Sequence, residues 1–387
     1  MAKNRITVGI DIGTTTTRCV VLSWQSNSST PETLTAVAVP TKGVRHGYIV
    51  NLPDVTDTIT RVVALAQKES GITIKKALFS MGGTSLLAEN ASGSSIITKS
   101  DGEVTALDIK KALLAAEEAI DLKNRRVIYT IPVSWKLDGK DIPGKPDGMH
   151  GVKLEAKVFF VTCLSQHLED LLSASAEAGI EVVDVVPSSI AASSITLSGR
   201  QKAVGVMLVN IGAETVSIAV FENNAVIGLT VFPIGSTNIT NDIALGFRIS
   251  LEEAESLKTG NIISNTFPKR KVDEIVTARL SDIFELIDGY LKKIRRSALL
   301  PAGVVITGGG SGHTLVEGLA RDVLRLPSRV GAEELLSQMK GPIRDSSWFV
   351  AYGLAIYGKD TGNDAITSNK DGGTKGLFKE FLRQFLP

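Results

Sequence analysis

A chain of 387 residues is too long for one ordinary domain and long enough for two, so a site between two domains is the first expectation. Its 42 basic and 41 acidic side chains nearly cancel, which argues against nucleic acid as a partner; any charged partner must be met locally. Cys19 and Cys163 sit in apolar runs that read as strands, where a thiol is a small hydrophobe, so they suit a reducing compartment and no disulfide framework. The five strand-like residues before Asp11 are too few for a secretory signal, and no run of ~18 apolar residues is present. Neither export nor a membrane-spanning helix is expected.

The chain opens with a strand, Ile6 to Ile10, a turn of Asp11-Ile12-Gly13-Thr14-Thr15-Thr16, and a second strand, Arg18 to Trp24. The pattern returns about 200 residues later, a period that signals duplicated domains rather than a solenoid. There Val204 to Val209 leads into Asn210-Ile211-Gly212-Ala213-Glu214-Thr215, and Ser217 to Phe221 follows. Between the copies, Thr105-Ala106-Leu107-Asp108 has capping-box form, and Ile109, Ala112, Leu113, Ala116 and Ile120 recur at helical spacing. Strand-like runs flank it at Arg126 to Ile131 and Val152 to Val158, joined by a loop rich in Gly and Pro. The stretch reads as a small inserted subdomain.

After the second copy, Ser250-Leu251-Glu252-Glu253 caps a helix carrying Ala254, Leu257 and Lys258. A longer helix is expected from Val272 to Arg295, with Ile275, Leu280, Ile283, Leu286, Ile287 and Leu291 on its apolar face. Val304 to Thr307 is a buried-strand run ending in Gly308-Gly309-Gly310. A polar stretch then leads to Lys375–Pro387, where Leu377, Phe378, Phe381, Leu382, Phe385 and Leu386 share one face and Lys375, Lys379 and Arg383 line the other. Too short to span a bilayer, this segment has the signature of an interfacial helix whose basic side meets anionic headgroups. A terminal helix docked on its own protein is the plainer alternative, weakened by the polar leash before it.

A Gly/Thr turn between strands offers amides and hydroxyls to an anion, and a nearby carboxylate such as Asp11 suits a hydrated Mg²⁺. One such turn is an ordinary hairpin. Two of them followed by a Gly-rich strand-to-helix turn form a set, since the pair would clamp phosphates from opposite domains and the third would leave room for a nucleoside.

This order is similar to the actin, Hsp70 and sugar-kinase superfamily, and within it the details resemble the bacterial cell-division FtsA family. The resemblance rests on Gly43 to Asn51, on Asp147 to Glu155 in the inserted piece, and on Ile239 to Arg248 followed by Glu253 to Lys258. It implies an α/β, actin-like two-domain fold with an inserted subdomain and a C-terminal amphipathic helix. The first core would take 1–83, 163–198 and 345–358; the insert 84–162; the second domain 199–344, with an FtsZ-binding part near 237–285. Residues 359–374 would be a linker and 375–387 the membrane helix.

The resemblance also implies ATP with Mg²⁺ as cofactors. Gly13, Thr14, Thr15 and Thr16 would bind phosphate from one side, and Asn210, Gly212 and Thr215 from the other. Asp11 would hold the metal, Gly308, Gly309 and Gly310 would face the adenosine, and Glu255 and Lys258 would flank base and ribose. Read alone, Glu255 and Lys258 are equally an exposed helix pair. The implied partners are the C-terminal tail of FtsZ, met by Arg279 and Asp282, anionic lipids, further copies of the chain in a filament, and other division proteins on the insert. As a bare i, i+3 pair, Arg279 and Asp282 are only a solvated ion pair. The implied place is the cytoplasmic face of the membrane at the division site.

Three departures stand out. Where the superfamily usually has Asp-Ile-Gly-Gly-Gly-Thr, Asn210 replaces a carboxylate and Glu214 brings a negative charge toward the phosphates; Ser188-Ser189 stand where many relatives have Glu-Pro. Losing acids that organise metal and water hurts hydrolysis more than binding, so an adaptor with at most weak ATPase activity is expected. The rivals are a pilus-assembly protein of the PilM type and a small-molecule kinase, which would need a carboxylate for its substrate hydroxyl.

Overall fold

The structure, a computed structural model, describes residues 5–25, 30–260, 267–331, 343 and 345–359. The first domain begins with β1 (Arg5–Ile12), β2 (Thr16–Trp24) and β3 (Glu32–Pro40), then a small hairpin of β4 (Val44–Arg45) and β5 (Tyr48–Ile49). Helix α1 (Leu52–Ser70) follows, started by Asn51, whose side chain accepts from the Asp54 amide, and stopped by Gly71 in the left-handed region. Strand β6 (Lys76–Met81) completes this part.

The inserted unit comprises β7 (Leu87–Ile96), α2 (Ala106–Glu118), β8 (Arg125–Leu137), β9 (Lys140–Ile142) and β10 (Lys153–Leu164). Thr105 and Asp108 close the expected capping box on α2. Strand β9 is a correction to the loop expected there: Asp138 and Gly139 both take positive φ, the conformation of a tight hairpin turn, and fold Lys140–Ile142 back on β8. The four strands order as β7-β10-β8-β9 and enclose their own core around Ile109, Leu113, Trp135 and Phe160.

The chain returns through α3 (Ser165–Glu177), β11 (Glu181–Pro187) and α4 (Ser188–Thr196). A short α5 (Gly199–Val204) then takes Val204, which the sequence reading placed with the next strand. A Ser198/Gln201 capping box starts this helix and Gly205 ends it. The second domain continues with β12 (Val206–Ile211), β13 (Val216–Glu222), β14 (Ala225–Phe232), α6 (Ser236–Phe247), α7 (Leu251–Lys258) and α8 (Lys269–Lys293). Helix α8 begins a turn earlier than its apolar spacing indicates, and Leu286, assigned to the buried face, is 46% exposed. Then come β15 (Val304–Thr307), α9 (Val316–Leu324), β16 (Ser328–Val330) and α10 (Phe349–Tyr357), which packs back on β1 and α4.

The duplication legible in the two turns extends to whole sheets. The first has the order β3-β2-β1-β6-β11 and the second β14-β13-β12-β15-β16. In each, the hairpin partners are antiparallel and the last two strands join parallel. Alternation along a strand sends its side chains to two layers. Met207, Val209 and Ile211 of β12 face the core under α6, α8 and α9, while Val206 and Leu208 face the core shared with the first domain. Both sheets are thus covered on two faces.

Candidate functional site

The two hairpin turns have one geometry. A Cβ on Gly13 would press within 2.7 Å of the Thr16 carbonyl, and one on Gly212 within 2.9 Å of the Thr215 carbonyl. The backbone is bare at equivalent places, as close approach to an anion requires. Thr14 and Thr15 lie in the first turn, whereas Thr16 opens β2. Asp11, at the end of β1, accepts from Ser80 Oγ at 2.6 Å. Burial pushes the Asp11 carboxyl above the usual carboxylate range, opposed by the Ser80 hydrogen bond and the Arg18 charge. An acid raised in this way holds its proton more tightly folded than unfolded, so its share of stability falls as pH rises, and a cation beside it offsets that loss. A single carboxylate is a ligand Mg²⁺ accepts, its other ligands coming from water and phosphate. Among the described residues no group of three or more His, Cys, Asp and Glu could hold a metal ion on its own.

Arg18 is a residue the motif reading missed. It is the cross-strand partner of Asp11, its guanidinium lies over the Trp348 ring at 5.6 Å, and its buried Nε has no hydrogen-bond partner among the described residues. The available signal was a cation inside an otherwise apolar strand, Cys19 to Leu22 following directly.

Facing it, the second turn is chemically quieter. Asn210 Nδ2 donates to Ser217 Oγ at 3.5 Å, and Ser217 Oγ meets Ser188 Oγ at 3.4 Å, an uncharged row. Glu214 departs from the sequence expectation. Rather than presenting its charge to the phosphates, it turns to the first domain, accepting from Arg45 at 2.6 Å and from the His46 amide at 2.7 Å. Two donors satisfy a carboxylate that is nearly buried.

The third turn is fixed by Gly308, with φ +92° and a neighbouring Asn210 Oδ1 only 2.4 Å from where a Cβ would stand. Gly309 and Gly310 open a short 3₁₀ turn, held where Ser311 and Ser346 both donate to the Gly308 carbonyl. Behind it lies a cavity of about 620 Å³ with an apolar floor of Ile239, Phe267, Val272 and Val276 and a polar rim that includes Lys258 and His313. Gly310 and Ser236 are part of its lining, and the Ser236 amide donates to the Gly212 carbonyl at 2.9 Å. A space of nucleoside size therefore abuts the second phosphate turn.

Lys258 lines this cavity and Glu255 does not. Glu255 instead accepts from Thr240 at 2.6 Å and Lys258 at 2.7 Å, which orients the lysine at the rim. On α8, Arg279 reaches Asp282 at 3.2 Å as the spacing indicates, but its main partner is Asp242 on α6, held through two bonds of 2.7 and 3.1 Å. Spacing along one helix carries no signal for that contact. Leu377, Phe378, Lys379, Phe381, Leu382, Arg383, Phe385 and Leu386, expected from the sequence to meet a membrane, lie outside the described residues.

Comparison with known proteins converges on one family. The model described as "Cell division protein FtsA" matches residues 207–353, and "SHS2 domain inserted in FTSA" matches 83–162. The cell-division protein FtsA of Pseudomonas aeruginosa is 27% identical, covering 95% of this chain and 93% of its own length. That of Bacillus subtilis is 29% identical, covering 92% and 83%. Among solved structures, a chain of a PilM-PilN type IV pilus biogenesis complex superposes with TM-score 0.66 at 17% identity, covering 91% of this chain and 98% of that one. MreB5 of Spiroplasma citri bound to ADP gives 0.52 at 12% identity, covering 92% and 96%. At those identities the two structures establish the actin-like fold alone. The two family matches, and relatives of one name along nearly the whole chain, settle the rest: the chain belongs to the FtsA family of cell-division proteins.

Proposed function

We propose that the chain binds ATP with Mg²⁺ in its cleft, turns it over slowly or not at all, and serves as an adaptor that ties FtsZ filaments to the cytoplasmic face of the membrane at the division site. The observation that carries the nucleotide reading is the cavity lined in part by Ser236 and Gly310, with Ser236 hydrogen-bonded to Gly212 of the second Gly/Thr turn. Asp11 would hold a hydrated metal, Gly13 to Thr15 and Gly212 to Thr215 would supply amides and hydroxyls, and Arg18 a fixed cation. The uncharged row of Asn210, Ser217 and Ser188 supports slow turnover, because it offers no carboxylate to orient water or accept a substrate proton. The same row weighs against a small-molecule kinase.

The adaptor role is supported by the family and by the amphipathic tail read in the sequence. No helix among the described residues is long and apolar enough to cross a membrane. One short interfacial helix binds weakly, so self-association into filaments would multiply contacts on a lipid surface. The FtsZ tail would meet α8 at Arg279 and Asp282, an acidic group on it sharing Arg279 with Asp242, and other division proteins would dock on the inserted unit.

Calorimetric titration with ATP and Mg²⁺ tests the nucleotide reading, and phosphate release tests turnover. Saturable binding with release far below the ~10 s⁻¹ of a median enzyme is expected. Release at a typical enzymatic rate would overturn the slow-turnover reading, and absence of saturable binding the nucleotide reading.

A further inference from the structure

Glu214 stands where the superfamily pattern has a glycine, and its carboxylate is spent across the cleft. One oxygen takes Arg45 Nη1 at 2.6 Å, the other takes the His46 amide at 2.7 Å, and the Glu214 carbonyl lies 3.3 Å from His46 Nδ1. The acid side chain is only 9% exposed, so the contact is poorly screened by solvent, although Arg45 itself is 72% exposed.

Each end of this contact is anchored in its own domain. Arg45 and His46 belong to the tight β4–β5 hairpin, whose turn residues His46 and Gly47 both take positive φ. Gly47 lies so close to Gly83 that a Cβ would come within 2.4 Å of its Cα, and Tyr48 stacks on His167 with centroids 4.9 Å apart. On the other side, the amides of Ser236 and Thr237 at the start of α6 donate to the carbonyls of Gly212 and Ala213 at 2.9 and 2.8 Å. A link between two anchored segments fixes the angle between the bodies that carry them.

We propose that Glu214 is a positioning residue: together with Arg45 and the His46 amide it latches the second Gly/Thr turn to the first domain and thereby fixes the angle between the two domains. A glycine in its place leaves closure to the ligand, whose phosphates must bridge the two turns. Here the protein supplies the bridge, so the domain angle is the same with and without a bound triphosphate. The latch is independent of the ATP reading, because every group in it belongs to the protein.

Double electron–electron resonance on the full chain tests it. Cys19 and Cys163 are both buried, so spin labels go selectively to cysteines introduced at the exposed Lys68 on α1 and Glu285 on α8. The parent protein is expected to give one narrow distance, unchanged by ATP and Mg²⁺. Arg45→Ala, a change at an exposed side chain, and Glu214→Ala are each expected to add a longer, broader population without nucleotide. A narrow distribution in both variants, or a parent distance that lengthens when nucleotide is removed, would overturn the latch. Calorimetry on the same samples keeps the two readings apart: a parent that binds no ATP yet opens on Arg45→Ala refutes the nucleotide reading and supports the latch.

Discussion

Gly308→Ala is expected to cost about 3 kcal/mol of stability, from a positive-φ penalty of ~1–2 kcal/mol and a steric penalty of ~1–3 kcal/mol. The added Cβ would meet Asn210 Oδ1 and the Ile211 carbonyl, each at 2.4 Å, and both belong to the second phosphate turn or its strand. These are backbone and short side-chain atoms within the second sheet, so neither can swing away. The substitution would push the adenosine turn from the phosphate turn and is expected to abolish saturable ATP binding. Gly199→Ala is the control, since no described residue lies within 4 Å of a Cβ there, its φ is ordinary and it is not part of the cavity lining. Denaturant unfolding of the two variants, with calorimetry on the folded fraction, checks both parts. Equal midpoints would show that the close packing around Gly308 has been misjudged.

The second large effect is expected at Arg18. A hydrogen bond to a charged group contributes ~1.5–3 kcal/mol, so Arg18→Ala should weaken ATP roughly 10- to 150-fold. The argument is one of charge balance: without the guanidinium, Asp11 would sit beside the phosphates with one cation fewer. Arg18→Lys keeps the charge and loses the fork, so it should recover part of the affinity. Stability should fall as well, because the Arg18 charge opposes the raised Asp11 carboxyl and the guanidinium lies over Trp348, so affinity is measured on the folded fraction. An affinity unchanged by Arg18→Ala would remove this residue from the phosphate site.

What the sequence made legible follows from range. The repeated turn around Gly13 and Gly212, the capping boxes at Thr105 and Ser250, and the strand ending at Gly308 are local patterns, and each appears where read. The duplicated sheet order could be inferred because one hairpin motif occurs twice in equivalent settings. Contacts between distant segments left no such trace. Arg279 with Asp242, Glu214 with Arg45, and Arg18 over Trp348 each depend on tertiary placement. Glu214 was misread for that reason: sequence shows a charge in a phosphate turn, but not the donors across the cleft. Leu286 shows the same limit, because helical periodicity gives a face and not what covers it.

The adaptor account is tested most directly by flotation with anionic liposomes in ATP and Mg²⁺, using labelled FtsZ and either the full chain or one ending before Lys375. FtsZ is expected to float with the full chain and to stay behind with the shortened one. FtsZ that stays behind with both, while the full chain itself floats, would contradict the bridge between filament and membrane.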